Sequence, residues 1–165
     1  MFSEFVGNSE VVAALRRMLE EQRLPQTLLF AGPEGVGKAT LARLVAAALN
    51  CAEGAADPCG RCSSCRRILQ ADLSLPDHQK VFEERARLPL ERRRENPLVV
   101  ATHPEFLTFP PDGPLPQISI EQVRMLNNHA RLAPSQGRRR LFLVDQANRI
   151  DAAAANSLLK TLEEP

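Results

Sequence analysis

Residues 27–50 restrict this sequence more than any other stretch, because three kinds of segment follow one another there without a gap. Thr27 to Ala31 is a short apolar run that reads as a buried strand. Gly32-Pro33-Glu34-Gly35-Val36-Gly37-Lys38 is a glycine-rich turn. Ala39 to Asn50 is rich in alanine and leucine and holds neither glycine nor proline, so it reads as a helix. A strand that feeds a helix through glycines places a helix N-terminus beside unhindered backbone N–H groups, and that arrangement favours an anion.

The turn fits the first seven positions of the pattern G-x-x-x-x-G-K-[ST]. Gly35 and Gly37 permit backbone angles that a side chain would forbid. The loop N–H groups then converge on phosphate oxygens, and Lys38 reaches the terminal phosphates. The eighth position departs from the pattern. It is Ala39, where a Ser or Thr hydroxyl would ligate Mg²⁺. Thr40 is adjacent but points about 100° around the helix. The expected nucleotide-binding set is therefore Gly32, Pro33, Glu34, Gly35, Val36, Gly37, Lys38, Ala39 and Thr40. ATP or ADP would be the ligand, with Mg²⁺ weak or absent.

A second run, Leu141-Phe142-Leu143-Val144, reads as a buried strand ending in Asp145. An acidic residue there helps hold Mg²⁺ in phosphate-loop ATPases, so Asp145 joins the expected nucleotide site. The next residue is Gln146, where a glutamate would polarise the attacking water. An amide cannot take a proton as a carboxylate can, and loss of a general base removes about 10²–10⁴ in rate. The sequence thus describes a phosphate site without its catalytic base, and no catalytic residue is assigned.

All four cysteines follow the spacing Cys51-x7-Cys59-x2-Cys62-x2-Cys65. Four thiolates satisfy a tetrahedral zinc and leave no open position, so the site would be structural. An iron–sulfur cluster could also use four cysteines. Pro58 and Gly60 supply turn chemistry around them.

The rest of the chain alternates helices with strands. Residues 8–22 read as a helix with Val11, Leu15, Met18 and Leu19 on one face. Asp77 to Leu88 reads as a short amphipathic helix inside an insertion at about 71–101. Glu105 to Phe109 reads as a strand before a proline-rich loop. Ser119 and Gln122 match a capping box for a helix to about Leu132, and Asp151 caps a last helix, Ala152 to Glu163. Arg138 to Arg140 could touch DNA or a neighbouring subunit but read first as a solvated turn, as do Arg92 to Arg94, and His103, before Pro104, reads as a packing or turn residue rather than a ligand. This alternation argues for an α/β fold with a parallel sheet. No apolar run approaches the ~20 residues a bilayer span needs, and no secretory signal opens the chain. The expected location is cytoplasmic, with no membrane partner. A net charge of +1 gives no support for tight DNA binding by this stretch alone, so a DNA contact would be shared with other chains.

The cysteine module and the closing stretch Ala152-Ala153-Ala154-Ala155-Asn156-Ser157-Leu158-Leu159-Lys160-Thr161-Leu162-Glu163-Glu164-Pro165 resemble bacterial clamp-loader subunits of DNA polymerase III. The resemblance covers residues 1–70 and 103–165. It implies an AAA+ phosphate-loop domain over residues 1–165, with a zinc module at 51–65 and with lid and collar domains outside this stretch. Two subunit types share these features. Ala39, Asp145-Gln146, His103-Pro104-Glu105 and the run Ile118 to Arg124 are more similar to the delta-prime stator than to the gamma/tau motor. What that implies is a partner of gamma/tau and delta subunits that acts on the sliding clamp and primer-template DNA through the assembled complex. The family's arginine finger would lie past residue 165. An active gamma/tau-type ATPase is the alternative. A small-molecule kinase is a third reading, disfavoured by the cysteine module and the closing stretch.

Overall fold

The computed structural model describes residues 1–54, 56–135 and 138–163. Glu164 and Pro165 of the closing stretch lie outside them. The chain divides into two compact units: residues 1–71, 102–106 and 134–141 form the first, and residues 72–101, 107–133 and 142–165 form the second.

In the first unit, α1 (Ser9–Glu20) and α2 (Lys38–Leu49) pack around Phe2, Leu15, Leu41, Leu44, Val45 and Ala48. A short 3₁₀ turn, Phe2–Glu4, lays Phe2 into that core. The inward face of α1 carries Val12, Leu15 and Leu19, whereas Val11 is 45% exposed. The expected stripe is therefore off by one residue at its start, because one position is about 100° of helix. The short helix α3 (Ser63–Leu69) follows the cysteine turn and buries Cys65 and Ile68.

Thr27 to Ala31 does not form the expected buried strand. No ladder pairs it among the described residues. The segment still alternates: Leu28 and Phe30 pack on the core, while Leu29 is 82% exposed. Only one face of this run meets apolar surface, and without a neighbouring strand its backbone stays unpaired by any ladder.

The second unit opens with α4 (Pro76–Ala86) and α5 (Leu90–Glu95). Proline at the first position of α4 costs no helical hydrogen bond. Arg85 fixes these two helices, for its Nε and Nη2 meet the Asp112 carboxylate at 3.2 and 2.8 Å. Nη2 also donates to the Asn96 carbonyl at 2.7 Å. The helical pair is thus tied to the proline-rich loop by a forked charge pair, which no spacing in the sequence announces.

The strands β1 (Val100–His103), β2 (Phe106–Phe109) and β3 (Leu141–Val144) form one sheet in that order. A two-residue connection makes β1 and β2 an antiparallel hairpin. β2 and β3 run parallel: Leu141 N–H donates to the Glu105 carbonyl and Asp145 N–H to the Phe109 carbonyl. The sheet is mixed, not wholly parallel as expected.

α6 (Ile120–Ala130) starts at the expected capping box. Ser119 Oγ accepts from Gln122 N–H at 3.3 Å, and Gln122 Oε1 accepts from Ser119 N–H at 2.9 Å. Gln122 is buried, and its Nε2 donates to the carbonyls of Leu98 and Pro110. A last helix, α7 (Ala152–Glu163), is capped by Asp151, whose Oδ1 accepts from Ala154 N–H at 2.7 Å. Asn127 of α6 joins α7 through Ser157 and Thr161. Leu107, Phe109, Leu126, Ile118, Val123 and Ala154 make the apolar centre of this unit.

Gln122 performs three polar tasks at once, so Gln122→Leu removes a cap and leaves two buried carbonyls without a donor. The expected cost is roughly 2–4 kcal/mol of unfolding free energy. Urea melts of the two proteins measure it, and a cost below about 0.5 kcal/mol contradicts this assignment.

Candidate phosphate loop and cysteine centre

The phosphate-loop residues all lie in the first unit and lead straight into α2. Gly37 is the N-cap residue, with φ of +86°. A Cβ there would stand 2.7 Å from the Phe5 ring, so both conformation and space require glycine. Gly35, at φ +80°, makes the preceding turn. Lys38 folds back on its own loop, where Nζ donates to the Gly32 and Pro33 carbonyls at 2.9 and 2.6 Å. Thr40 Oγ1 accepts from Arg43 Nη2 at 3.2 Å. The hydroxyl nearest to position 39 is therefore already engaged. Asp145 follows β3 in the second unit, and Gln146 takes a left-handed conformation, φ +51°, where the chain turns into the 3₁₀ segment Ala147–Arg149.

The four cysteines come together where α2 ends and α3 begins. Their Sγ atoms all lie within 4.8 Å of one another, and Cys59 and Cys65 are 4.0 Å apart. Tetrahedral zinc with Zn–S bonds near 2.3 Å sets sulfurs about 3.8 Å apart, so a small contraction fits the ion. Backbone N–H groups point at the sulfurs: Cys62 N–H donates to Cys59 Sγ and Cys65 N–H to Cys62 Sγ, both at 3.4 Å. Cys51 and Cys65 are buried, and Cys59 and Cys62 half-buried.

The thiols do not titrate alike. Desolvation pushes Cys62 up, but the backbone of Ala52 and Cys65 and the thiols of Cys65 and Cys59 outweigh it and bring it down to about 6. Cys51 is lowered in the same way, against its burial, by the Cys59 and Glu53 backbone. Cys65 is raised by burial, with Cys62 and Cys51 adding to the rise. Metal-free, the cluster favours negative charge at Cys51 and Cys62 and resists it at Cys65. A divalent cation is the counter-charge that lets all four ionise.

Several bonds fix the cluster to its surroundings. Cys65 Sγ lies 3.7 Å from the Ala47 carbonyl of α2. Arg67 Nε donates to the Thr102 carbonyl at 2.8 Å. His103, 3% exposed, accepts at Nδ1 from Glu105 N–H, so its proton sits on Nε2 and faces Ser64 Oγ at 3.2 Å. Glu105 is fully buried and takes Arg140 Nε at 2.8 Å, together with the N–H and hydroxyl of Ser135. Arg140 is thus an internal ion-pair partner, a correction to the solvated reading of residues 138–140. The sequence offered one clue to it, a carboxylate at the start of an apolar strand.

The sequence model of the family described as "DNA polymerase III, delta subunit" matches residues 7–165. The chain belongs to this family. It is 34% identical over 165 residues to the DNA polymerase III subunit gamma/tau of Mycobacterium tuberculosis (strain ATCC 25618 / H37Rv), covering 99% of this chain and 23% of that protein. To the subunit tau of Escherichia coli (strain K12) it is 31% identical, with 99% and 20% covered. To the subunit delta' of Bacillus subtilis (strain 168) it is 30% identical over 157 residues, with 94% and 37% covered. The chain therefore spans well under half the length of each of these relatives. The resemblance to DNA polymerase III clamp-loader subunits holds, and relatives of both subunit types fall within reach. Among the described residues, no helix of this family member is long and apolar enough to cross a membrane.

Two outcomes follow for the cysteine centre. Elemental analysis of the reduced protein should find about one zinc per chain, and a metal-free preparation that keeps its fold contradicts the fit. Burial, then the charge of Arg67, holds His103 below its ordinary 6.5 against the pull of Glu105. A base lowered on folding adds stability that is fully present above 6.5 and is lost as pH falls through the folded value. Urea midpoints should therefore drop between about pH 7.5 and pH 5, and less steeply in His103→Gln. An equal drop in both proteins contradicts the assignment.

Proposed function

We propose that this chain is the N-terminal AAA+ domain of a delta-prime-type clamp-loader subunit, one that holds nucleotide on residues 32–40 without hydrolysing it efficiently. The observation that carries this reading is Ala39 at the magnesium-ligand position, with Thr40, the adjacent hydroxyl, held by Arg43. Gln146 beside Asp145 agrees with it, since the position beside the acidic residue lacks a carboxylate.

On this reading the loop backbone and Lys38 grip the phosphates. The Lys38 ammonium exchanges the Gly32 and Pro33 carbonyls for phosphate oxygens. The cysteine centre holds a structural zinc through Cys51, Cys59, Cys62 and Cys65, and its chemistry is confined to folding. The partners would be gamma/tau and delta subunits, with the sliding clamp and primer-template DNA reached through the assembled complex in the cytoplasm. Lid and collar domains would follow in the complete chain.

A second reading, an active gamma/tau-type ATPase, has one observation in its favour: the M. tuberculosis gamma/tau relative is 34% identical, against 30% for the B. subtilis delta' relative. Phosphate release from ATP by the full-length chain, alone and with clamp and primed DNA, separates the two. The stator reading expects no release above the blank. Turnover on the order of 1 per second or faster favours the motor and overturns it.

A further inference from the structure

One concave surface of the first unit lies apart from the phosphate loop and borders the cysteine module only through Gly54 and Ala56. It lies where α1 and α2 both end and has a cavity volume of about 170 Å³. Its apolar wall is Met18, Leu19, Leu24 and Leu49, and its rim carries Arg138 and Arg139. No carboxylate lines it among the described residues.

The arginine pair is placed by a built device. Asn50, 5% exposed at the end of α2, accepts at Oδ1 from the N–H groups of Arg138 and Arg139, at 3.0 and 3.3 Å. Its Nδ2 returns a bond to the Arg139 carbonyl at 3.0 Å. The Arg138 guanidinium lies along Gly54, where Nη2 and Nη1 would stand 3.1 and 3.2 Å from an added Cβ. A side chain there would crowd the guanidinium by a few tenths of an ångström, and φ of +69° favours glycine on its own account. The nearby acids are spent elsewhere: Glu53 pairs with Arg61 at 2.9 Å, and Glu21 lies 3.7 Å from Arg23. Both rim guanidiniums are exposed and have no ion-pair partner among the described residues.

An apolar trough beside two unneutralised guanidiniums, carried on a backbone that Asn50 holds, matches one chemistry. We infer that this groove docks an acidic peptide segment of a partner protein, with an apolar side chain in the trough and carboxylates on Arg138 and Arg139. Guanidiniums suit carboxylates because their forked donors match both oxygens. A nucleic-acid backbone would satisfy the arginines but has no apolar side chain to fill the wall of Leu19, Leu24 and Leu49. The backbone placement of the pair by Asn50 lowers the ordering cost of such a contact.

The probe is a fluorescein-labelled peptide of about twelve residues alternating aspartate with leucine, titrated into the full-length chain by anisotropy. Binding is expected with a dissociation constant below about 100 µM, weakening steeply with added salt. Arg138→Gln/Arg139→Gln should lose about tenfold in affinity, and a serine–leucine peptide should bind about tenfold more weakly to the unaltered chain. The glutamine substitutions keep the backbone bonds to Asn50, so thermal melts should be unchanged. The inference is overturned if the acidic and neutral peptides bind alike, or if an oligothymidylate of equal length displaces the acidic peptide with the same arginine dependence. It is overturned equally if the double variant lowers the melting temperature but not peptide affinity, for then the arginines serve only the helix ends.

Discussion

The first unit depends on the burial of α2. Leu41, Arg43, Leu44, Val45, Ala46, Ala47 and Ala48 are all buried, so the helix has almost no solvent side along its middle. Small residues make this feasible, because three successive alanines let neighbouring elements come close without cavities. A helix fixed on nearly every side holds its two ends rigidly. The phosphate loop hangs from one end at Gly37, and Asn50 and Cys51 leave from the other. The positions of both candidate sites in this unit are consequences of a single packing event.

The cysteine centre extends that rigidity. Cys65 touches the Ala47 carbonyl, Ser64 meets His103, and Asn50 holds the backbone at Arg138 and Arg139. These bonds draw residues 102–106 and 134–141 into the same unit as α2. Glu105 and Arg140 complete it as a buried charge pair. Such a pair adds less to stability than its short distance suggests, because both ions lose water. A one-residue slip of β2 against β3 would separate Glu105 from Arg140, so the pair favours the observed register.

Features set by local chemistry were legible in the sequence. The capping box at Ser119 and Gln122, the Asp151 cap, the breaker-free α2 and the tight cysteine spacing each have a cause within a few residues. What was illegible depends on distant partners. Thr27 to Ala31 has the composition of a buried strand, but a strand needs a neighbour, and composition does not supply one. The hairpin of β1 and β2 turned a parallel expectation into a mixed sheet. Arg85 and Asp112 are 27 positions apart and are separated by elements whose placement only packing decides. His103 read as a packing residue and is one. Its hydrogen bond to Ser64 was invisible, because a lone histidine carries no sign of its partner.

The central claim is that the phosphate loop keeps its grip on nucleotide without a magnesium ligand of its own. Calorimetric titration of ADP and ATP into the full-length chain, with magnesium and with a chelator, tests it most directly. The account predicts binding of either nucleotide with affinity changed less than about threefold by magnesium, less than 1 kcal/mol. A tenfold or greater dependence, about 1.4 kcal/mol, would show that Asp145 or Thr40 engages the ion after all, and the reading of Ala39 would fail.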